Sequence, residues 1–373
     1  MYQKIFKIWA GILLFRQVVF IISIEKLLLE MTYPAQIGGI LISKSSKKKK
    51  DTAVREQLRK KHIFCDFING TLFHGLGHIT PDMLTWLPES GVLKLKGQKG
   101  KEIRLDHVKD SVFLAEMPKN QNAIFRVIFG GEGQNYIDYG MVIRDMGYDA
   151  GAYLAQLYEK RQKHREKGDI REDEFLSGIK KSDRFIPVIT LCFYYGEKEW
   201  DASTSLFELL DIPEGEEWIY EYLSDYRLNL VHVGNVKSEN FKTGLRQVFE
   251  LLPFSGDAAK LQTYMEIHKE EFLHVTEETC ELLLTFFDDK DMKLLEEKEK
   301  FYNEEGGGYD MCTAFQQMRE EGIQIGQQIG QEQGEGRVNH LIRLLLQDSR
   351  TCDIEKAVSD RDYQNQLFQE YHL

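Results

Sequence analysis

Cysteine is scarce in this 373-residue chain: there are five (Cys65, Cys192, Cys280, Cys312 and Cys352), widely scattered and odd in number. No CxxC or Cys/His ligand spacing occurs among them, which reads as a reducing, cytoplasmic setting and no zinc site. Positive charge is also short. The formal net charge of -12 disfavours indiscriminate binding to nucleic acid, although it leaves room for a locally basic cleft. No apolar run is long enough to cross a bilayer. Ile8–Phe15 and Val18–Ile24 are interrupted by Arg16 and Gln17, and joining them would place Arg16 near mid-membrane at a cost of about 2.5–3.5 kcal/mol. No stable membrane partner is therefore expected. Lys4 and Lys7 precede the first run as in a signal peptide, but no small-x-small cleavage site follows. Three readings stay open for this stretch: a membrane-associating helix, a signal or anchor, or a segment outside the working protein with Met31 as its start, the last being favoured. Gly130-Gly131-Glu132-Gly133 is not followed by a Walker lysine, and no G-x-S-x-G or Cys/His pair offers a nucleophile.

What is present is enough apolar and aromatic side chain, 42% and 12%, to bury a core in one or two domains. Residues 1–50 read as an N-terminal extension that ends in a Ser/Lys-rich linker over 44–50. Residues 51–254 carry the main domain, 255–305 a helical region and 306–373 a Gly/Gln-rich helical tail. Val54, Leu58, Ile63, Phe64, Phe67 and Ile68 recur at helical spacing, so one or two helices are expected over Thr52–Phe73. Val92–Leu95 and Ile103–Val108 are candidate strands. The clearest strand is Ala123–Phe129, β-branched and aromatic, ending at Gly130-Gly131. Tyr139–Arg165 reads as a long helix burying Met141, Met146, Tyr153, Leu154 and Leu157. Phe185–Tyr195 is nearly continuous in apolar residues, as suits a strand buried on both faces, and Leu228–Val233 offers another. Thr276, followed by Glu277 and Glu278, is a candidate helix N-cap. This order of elements predicts an α/β domain followed by helices.

The chemistry centres on Glu132-Gly133-Gln134. In an extended chain, residues two apart share a face, so Glu132 and Gln134 point the same way. Asp110 lies 22 residues earlier, beyond a turn containing Pro118, Lys119 and Asn120, and a hairpin would bring it beside Glu132. Two such carboxylates repel unless a cation lies between them. Oxygen ligands favour Mg²⁺ or Mn²⁺, which keep several waters and accept phosphate oxygens. Asp106 is a rival to Asp110, although the spacing to Glu132 favours Asp110. His62, His74, His78 and His107 lack a ligand-like i, i+4 partner and read as surface or hydrogen-bonded residues.

Several blocks, in order, extend the signal. IFCDFING (Ile63–Gly70), GQNYIDYGMVIRDMGYDAGAYLAQ (Gly133–Gln156), KHREKGD (Lys163–Asp169), DEFLSGI (Asp173–Ile179), FIPVITLCFYYGEKEWD (Phe185–Asp201) and the Gly-repeat tail after MCTAF (Met311–Phe315) together resemble the recombination-promoting nuclease or putative transposase family of the PD-(D/E)XK superfamily. The likeness runs from about Asp51 to about Gly334. It implies a restriction-endonuclease-like mixed sheet flanked by helices and Mg²⁺-dependent (or Mn²⁺-dependent) DNA cleavage, with DNA as the partner. Residue by residue, Asp110 falls at the strand aspartate and Glu132 at the (D/E) position, the two metal ligands. Gln134 falls where many relatives have Lys, and Asp66 at a helix acid that often completes the site. Arg144, Tyr148 and Gln156 fall at polar positions near phosphate. Two features depart from the pattern: Lys109 stands where Arg is usual, and Gly131 and Gly133 flank the glutamate where an apolar residue and Asn are common. The alternative reading is a catalytically inactive relative serving as a nucleic-acid-binding or protein-interaction module.

Lys163 and Arg165, within the Lys160–Arg165 cluster, with Lys180, Lys181 and Arg184, line either a DNA groove or a solvated helix end. In the tail, Gly322, Gly326, Gly330 and Gly334 recur every four residues. Each interior glycine weakens a helix by about 0.8–1 kcal/mol relative to Ala. The stripe is either a self-association face, making a homo-oligomer, or a low-complexity surface helix.

Overall fold

β-Branched and aromatic side chains from Ala123 onward make a strand, and in the computed structural model that strand is the centre of the sheet. The structure describes residues 44–87, 93–96, 102–105, 110–120, 123–170, 174–288 and 292–373. The readings made for residues 1–43, for Asp106 and His107, and for the outer ends of the two candidate strands near 92 and 108 lie outside these. Residues 1–44 and 45–373 are separate units, and the sheet and its flanking helices belong to the second.

Two helices lead into the sheet, α1 (Lys44–Arg59) and α2 (Lys61–Leu72). The lysine-rich stretch expected as a linker is therefore helical from Lys44. The strands are β1 (Leu84–Trp86), β2 (Leu93–Lys96), β3 (Glu102–Leu105), β4 (Ser111–Asn120), β5 (Ala123–Gln134), β6 (Val188–Tyr194) and β7 (Leu230–Val231). β2 and β3 form a separate antiparallel pair. The other five make one mixed sheet in the order β1-β4-β5-β6-β7. β1 and β5 run antiparallel to β4, whereas β5, β6 and β7 are parallel. Between β5 and β6 lies α3 (Met141–Lys167), closed by Gly168 in the left-handed region at φ 61°, a conformation that costs glycine nothing. The sheet is thus the mixed, helix-flanked one expected.

Its two faces differ in chemistry. On one, Phe113, Phe129 and Phe193 pack against Phe64 and Phe67 of α2 and Phe286 of α8 (Glu277–Phe287). That apolar core is continuous from Val54 to Phe315 and crosses the boundary expected near 254. On the other face, α3 buries Met141 and Val142 against Cys192 and Leu228, and with them Asp145 and Asp149. The helix side expected to be buried therefore needs correction: Tyr153 and Leu154 are exposed, at 39% and 43%, and Met146 and Leu157 are half-buried. The sheet beneath α3 presents Glu132, Gln134 and Thr190, so polar helix residues pack there and the apolar period is lost.

Helices α4 (Glu174–Ser177), α5 (Leu245–Leu251), α6 (Ala258–Ile267) and α7 (Lys269–Phe272) precede α8, and α9 (Lys293–Glu296) follows it. Thr276 caps α8, its hydroxyl accepting the Thr279 N–H at 3.2 Å. A short hairpin, β8 (Tyr302–Asn303) and β9 (Gly308–Tyr309), turns on Gly307 and leads into α10 (Met311–Gln347), α11 (Thr351–Ser359) and α12 (Arg361–Glu370). Residues 322–337 of α10 are exposed all round. Beyond them Leu341 and Leu345 join Ala357, Leu367 and Phe368 in a second small core. No helix among the described residues is long and apolar enough to cross a membrane.

Candidate active site

The β4–β5 hairpin sets Ser111 opposite Gly131, so Asp110, one residue earlier, falls level with Glu132. Asp110, Glu132 and Gln134 are all buried, at 7%, 5% and 4% exposure, and the sheet brings the three together. β5 does not end at Gly130-Gly131 as its sequence led one to expect. It stays paired with β6 through Gln134, opposite Tyr194.

Two glycines make this possible. A Cβ at Gly131 would lie 2.8 Å from the Phe64 ring and 2.7 Å from Ser111 Oγ, and one at Gly133 would lie 3.2 Å from Val54 Cγ1, a tight contact, and 3.4 Å from Asp110 Oδ2, an ordinary one. The residues that depart from the family pattern therefore admit close approach, and β5 stays paired with β6 across both of them. The Gly133 N–H donates to Asp110 Oδ2 at 2.8 Å, and Arg55 Nε of α1 donates to Asp110 Oδ1 at 2.7 Å.

Glu132 has its own cation. Arg144 of α3 donates from Nη2 to Glu132 Oε1 at 2.9 Å and to the Tyr148 hydroxyl at 3.2 Å, and from Nη1 to Asp138 Oδ2 at 2.5 Å. Glu132 Oε2 is buried and has no hydrogen-bond partner among the described residues. Burial first, and the Asp110 charge second, push the Glu132 carboxyl up to about 8, with Arg144 opposing them and Asp145 adding to the rise. Asp51 of α1, whose Oδ1 accepts from the Tyr195 hydroxyl at 3.4 Å, is likewise raised by burial and then by Asp110. Burial and neighbouring acids thus both raise the carboxyls of Glu132 and Asp51, a condition that an added positive charge relieves. Gln134 directs its amide nitrogen at Met141 Sδ, 3.5 Å away.

Other expected site residues sit elsewhere. Both Asp66 oxygens accept from the turn before α5: Lys242 N–H at 2.9 and 3.0 Å, Thr243 N–H at 2.8 Å and Thr243 Oγ1 at 2.7 Å. Gln156 receives the Ile186 N–H and donates to the Ile186 carbonyl, at 2.8 and 3.0 Å, tying α3 to the chain just before β6. Lys163 pairs with Glu159 on the helix surface, and Arg165 is exposed. Lys180 is tied to Asp169 and His164 to both Asp169 and Asp183, so much of this basic cluster is matched by acids. His62 is bonded to Glu278.

Arg55, Asp51, Asp138 and Asp145 were not singled out from sequence. Asp138 had a signal, a short acid just ahead of a helix, where it accepts the Gly140 N–H at 2.9 Å. The others look like solvent-facing charges on amphipathic helices.

Among the described residues no group of three or more His, Cys, Asp or Glu side chains stands ready to hold a metal ion. Two hard carboxylates, one of them with its buried Oε2 unpartnered, nevertheless fit Mg²⁺, which takes one or two protein carboxylates and completes its shell with water and phosphate.

The chain thus has a mixed five-stranded sheet whose β4–β5 hairpin sets Asp110 and Glu132 level. Residues 48–291 match the sequence model of the family described as "Putative transposase, YhgA-like", and the chain belongs to that family, within the PD-(D/E)XK nuclease-like transposase group. That description suggests a mobile-element role. No curated protein and no solved structure matches the chain.

Proposed function

We propose that the chain is a metal-dependent DNA endonuclease acting in recombination or mobile-element movement. One observation carries the reading: two carboxylates far apart in sequence, Asp110 and Glu132, are set level by the β4–β5 register, both of them buried.

Asp110 and Glu132 would hold Mg²⁺, or Mn²⁺ in its place. The ion, when bound, lowers the pKa of a coordinated water and offsets charge on the scissile phosphate. Gly133 and Arg55 keep the Asp110 carboxylate fixed. Gln134, on the same side of β5 as Glu132, orients the attacking water through its amide, which is neutral and adds no further charge to the site. Arg144 and Tyr148 meet the phosphate. Asp66 has no part in this assignment, because its oxygens hold the turn at Lys242–Thr243.

Plasmid nicking in Mg²⁺ or Mn²⁺, wild type against Glu132→Ala, tests the proposal. Nicking by the wild type that the substitution abolishes is the expected result. Nicking that survives it overturns the site, and no nicking by the wild type in either metal favours a nucleic-acid-binding or protein-interaction module.

A further inference from the structure

Both carboxylates assigned to the metal are already held by arginines of the chain itself, and the two arginines come from different helices: Arg55 of α1 on Asp110, Arg144 of α3 on Glu132. Arg144 has the more telling geometry. Its side chain is 27% exposed while that of Glu132 is 7% exposed, so the arginine is the more solvent-accessible member of the pair. It is also held twice over without Glu132, by Asp138 and by the Tyr148 hydroxyl. Letting go of Glu132 Oε1 thus needs a side-chain rotation about anchors that remain, and no shift of the backbone.

A guanidinium and a divalent cation on one carboxylate repel each other, the more so where the acid is shielded from water. Phosphate, by contrast, is a partner that a guanidinium meets through two parallel hydrogen bonds. We propose that Arg144 and the metal ion are alternative partners of Glu132, and that the DNA phosphate decides between them by drawing Arg144 away. Arg144 is then a positioning residue that links two binding events, and this inference rests on the nuclease reading above. Linkage makes the effect reciprocal: DNA raises the affinity for metal by the factor by which metal raises the affinity for DNA. Glu132 Oε1 stays occupied until substrate arrives.

Calorimetric titration of Mg²⁺ into the full chain, without DNA, tests this with the wild type, Arg144→Gln, Arg144→Lys and Glu132→Gln. Arg144→Gln is expected to bind Mg²⁺ about tenfold more tightly than the wild type, since a unit positive charge has left a poorly solvated neighbour. A side chain with a merely structural role would loosen the site and weaken binding. Arg144→Lys keeps the charge but cannot bridge Asp138 and Glu132 together, so an intermediate affinity is expected. Should the glutamine variant fail to fold, as read by circular dichroism, the lysine variant decides alone. With a 20-base-pair duplex present, and Ca²⁺ replacing Mg²⁺ to keep it intact, metal affinity should rise in the wild type and stay level in Arg144→Gln. Equal affinities in wild type and folded arginine variants overturn the inference and leave the nuclease reading standing, provided Glu132→Gln abolishes binding. Metal binding by none of the proteins overturns both.

Discussion

The backbone N–H of Gly133 lies 2.8 Å from the carboxylate of Asp110, so the strand that carries one acid of the site also fixes the other. This bond sits where β4 has ended and β5 continues, and it satisfies a strand N–H that would otherwise lack a partner.

Close approach at Gly131 makes the first prediction. Gly131→Ala would press a methyl group into the Phe64 ring and Ser111, and overpacking of this kind costs about 1–3 kcal/mol. Urea unfolding should show that loss, with partial recovery in the Gly131→Ala, Phe64→Leu double variant. Unchanged stability of the single variant would mean that the ring is free to move aside.

Asp66 should behave as a structural acid. Its replacement by Ala leaves the turn at Lys242–Thr243 without its buried acceptor, a loss of about 1–3 kcal/mol. Metal affinity of the folded fraction, measured below the melting range, should match the wild type. A large drop in that affinity would return Asp66 to the metal shell.

Glu132 predicts a pH dependence. Its folded pKa of about 8 lies above the ordinary 4.5, so the folded state favours the protonated acid. The associated stability is complete below about 4.5 and is lost as pH rises through about 8. In metal-free buffer, the melting temperature of the wild type should therefore fall across that window relative to Glu132→Gln. Mg²⁺ should lessen the fall by favouring the ionised acid. Parallel profiles for the two proteins would show that Glu132 ionises in this chain as it does in water.

The tail helix offers a separate check on self-association. A Cβ at Gly326 or Gly330 meets open space, so each change to Ala should stabilise α10 by about 0.8–1 kcal/mol. Sedimentation should be unaltered if the stripe faces solvent. A shift toward smaller species would show instead that a second copy packs on those glycines.

Much of this architecture was legible in the residues. The β-branched run after Ala123, the apolar Phe185–Tyr195 block and the cap at Thr276 each announced an element, because burial and capping leave periodic or local marks. The level pairing of Asp110 with Glu132 was expected from a hairpin, but Pro118, Lys119 and Asn120, read as its turn, belong to β4, which pairs with β5 as far as Ala123. What escaped notice was polar. The buried side of α3 is set by Asp145 and Asp149 as well as Met141 and Val142, and apolar periodicity does not register a helix lying on a polar strip of sheet. Spacing likewise places Asp66 on a helix near the strands without saying which neighbour its carboxylate meets. Arg55 was invisible because a basic residue on an amphipathic helix ordinarily faces water. The helical start at Lys44 was missed since lysines alone carry no period.

The exposed stretch of α10, residues 322–337, works as a ruler between the main core and the small C-terminal one. Its sequence is written in four-residue steps, whereas an α-helix turns once in about 3.6 residues. Adding or deleting one step would advance the terminal bundle by about 6 Å and swing it round by about 40°, with no packed side chain disturbed. Length and phase of that spacer can thus drift while both cores stay intact.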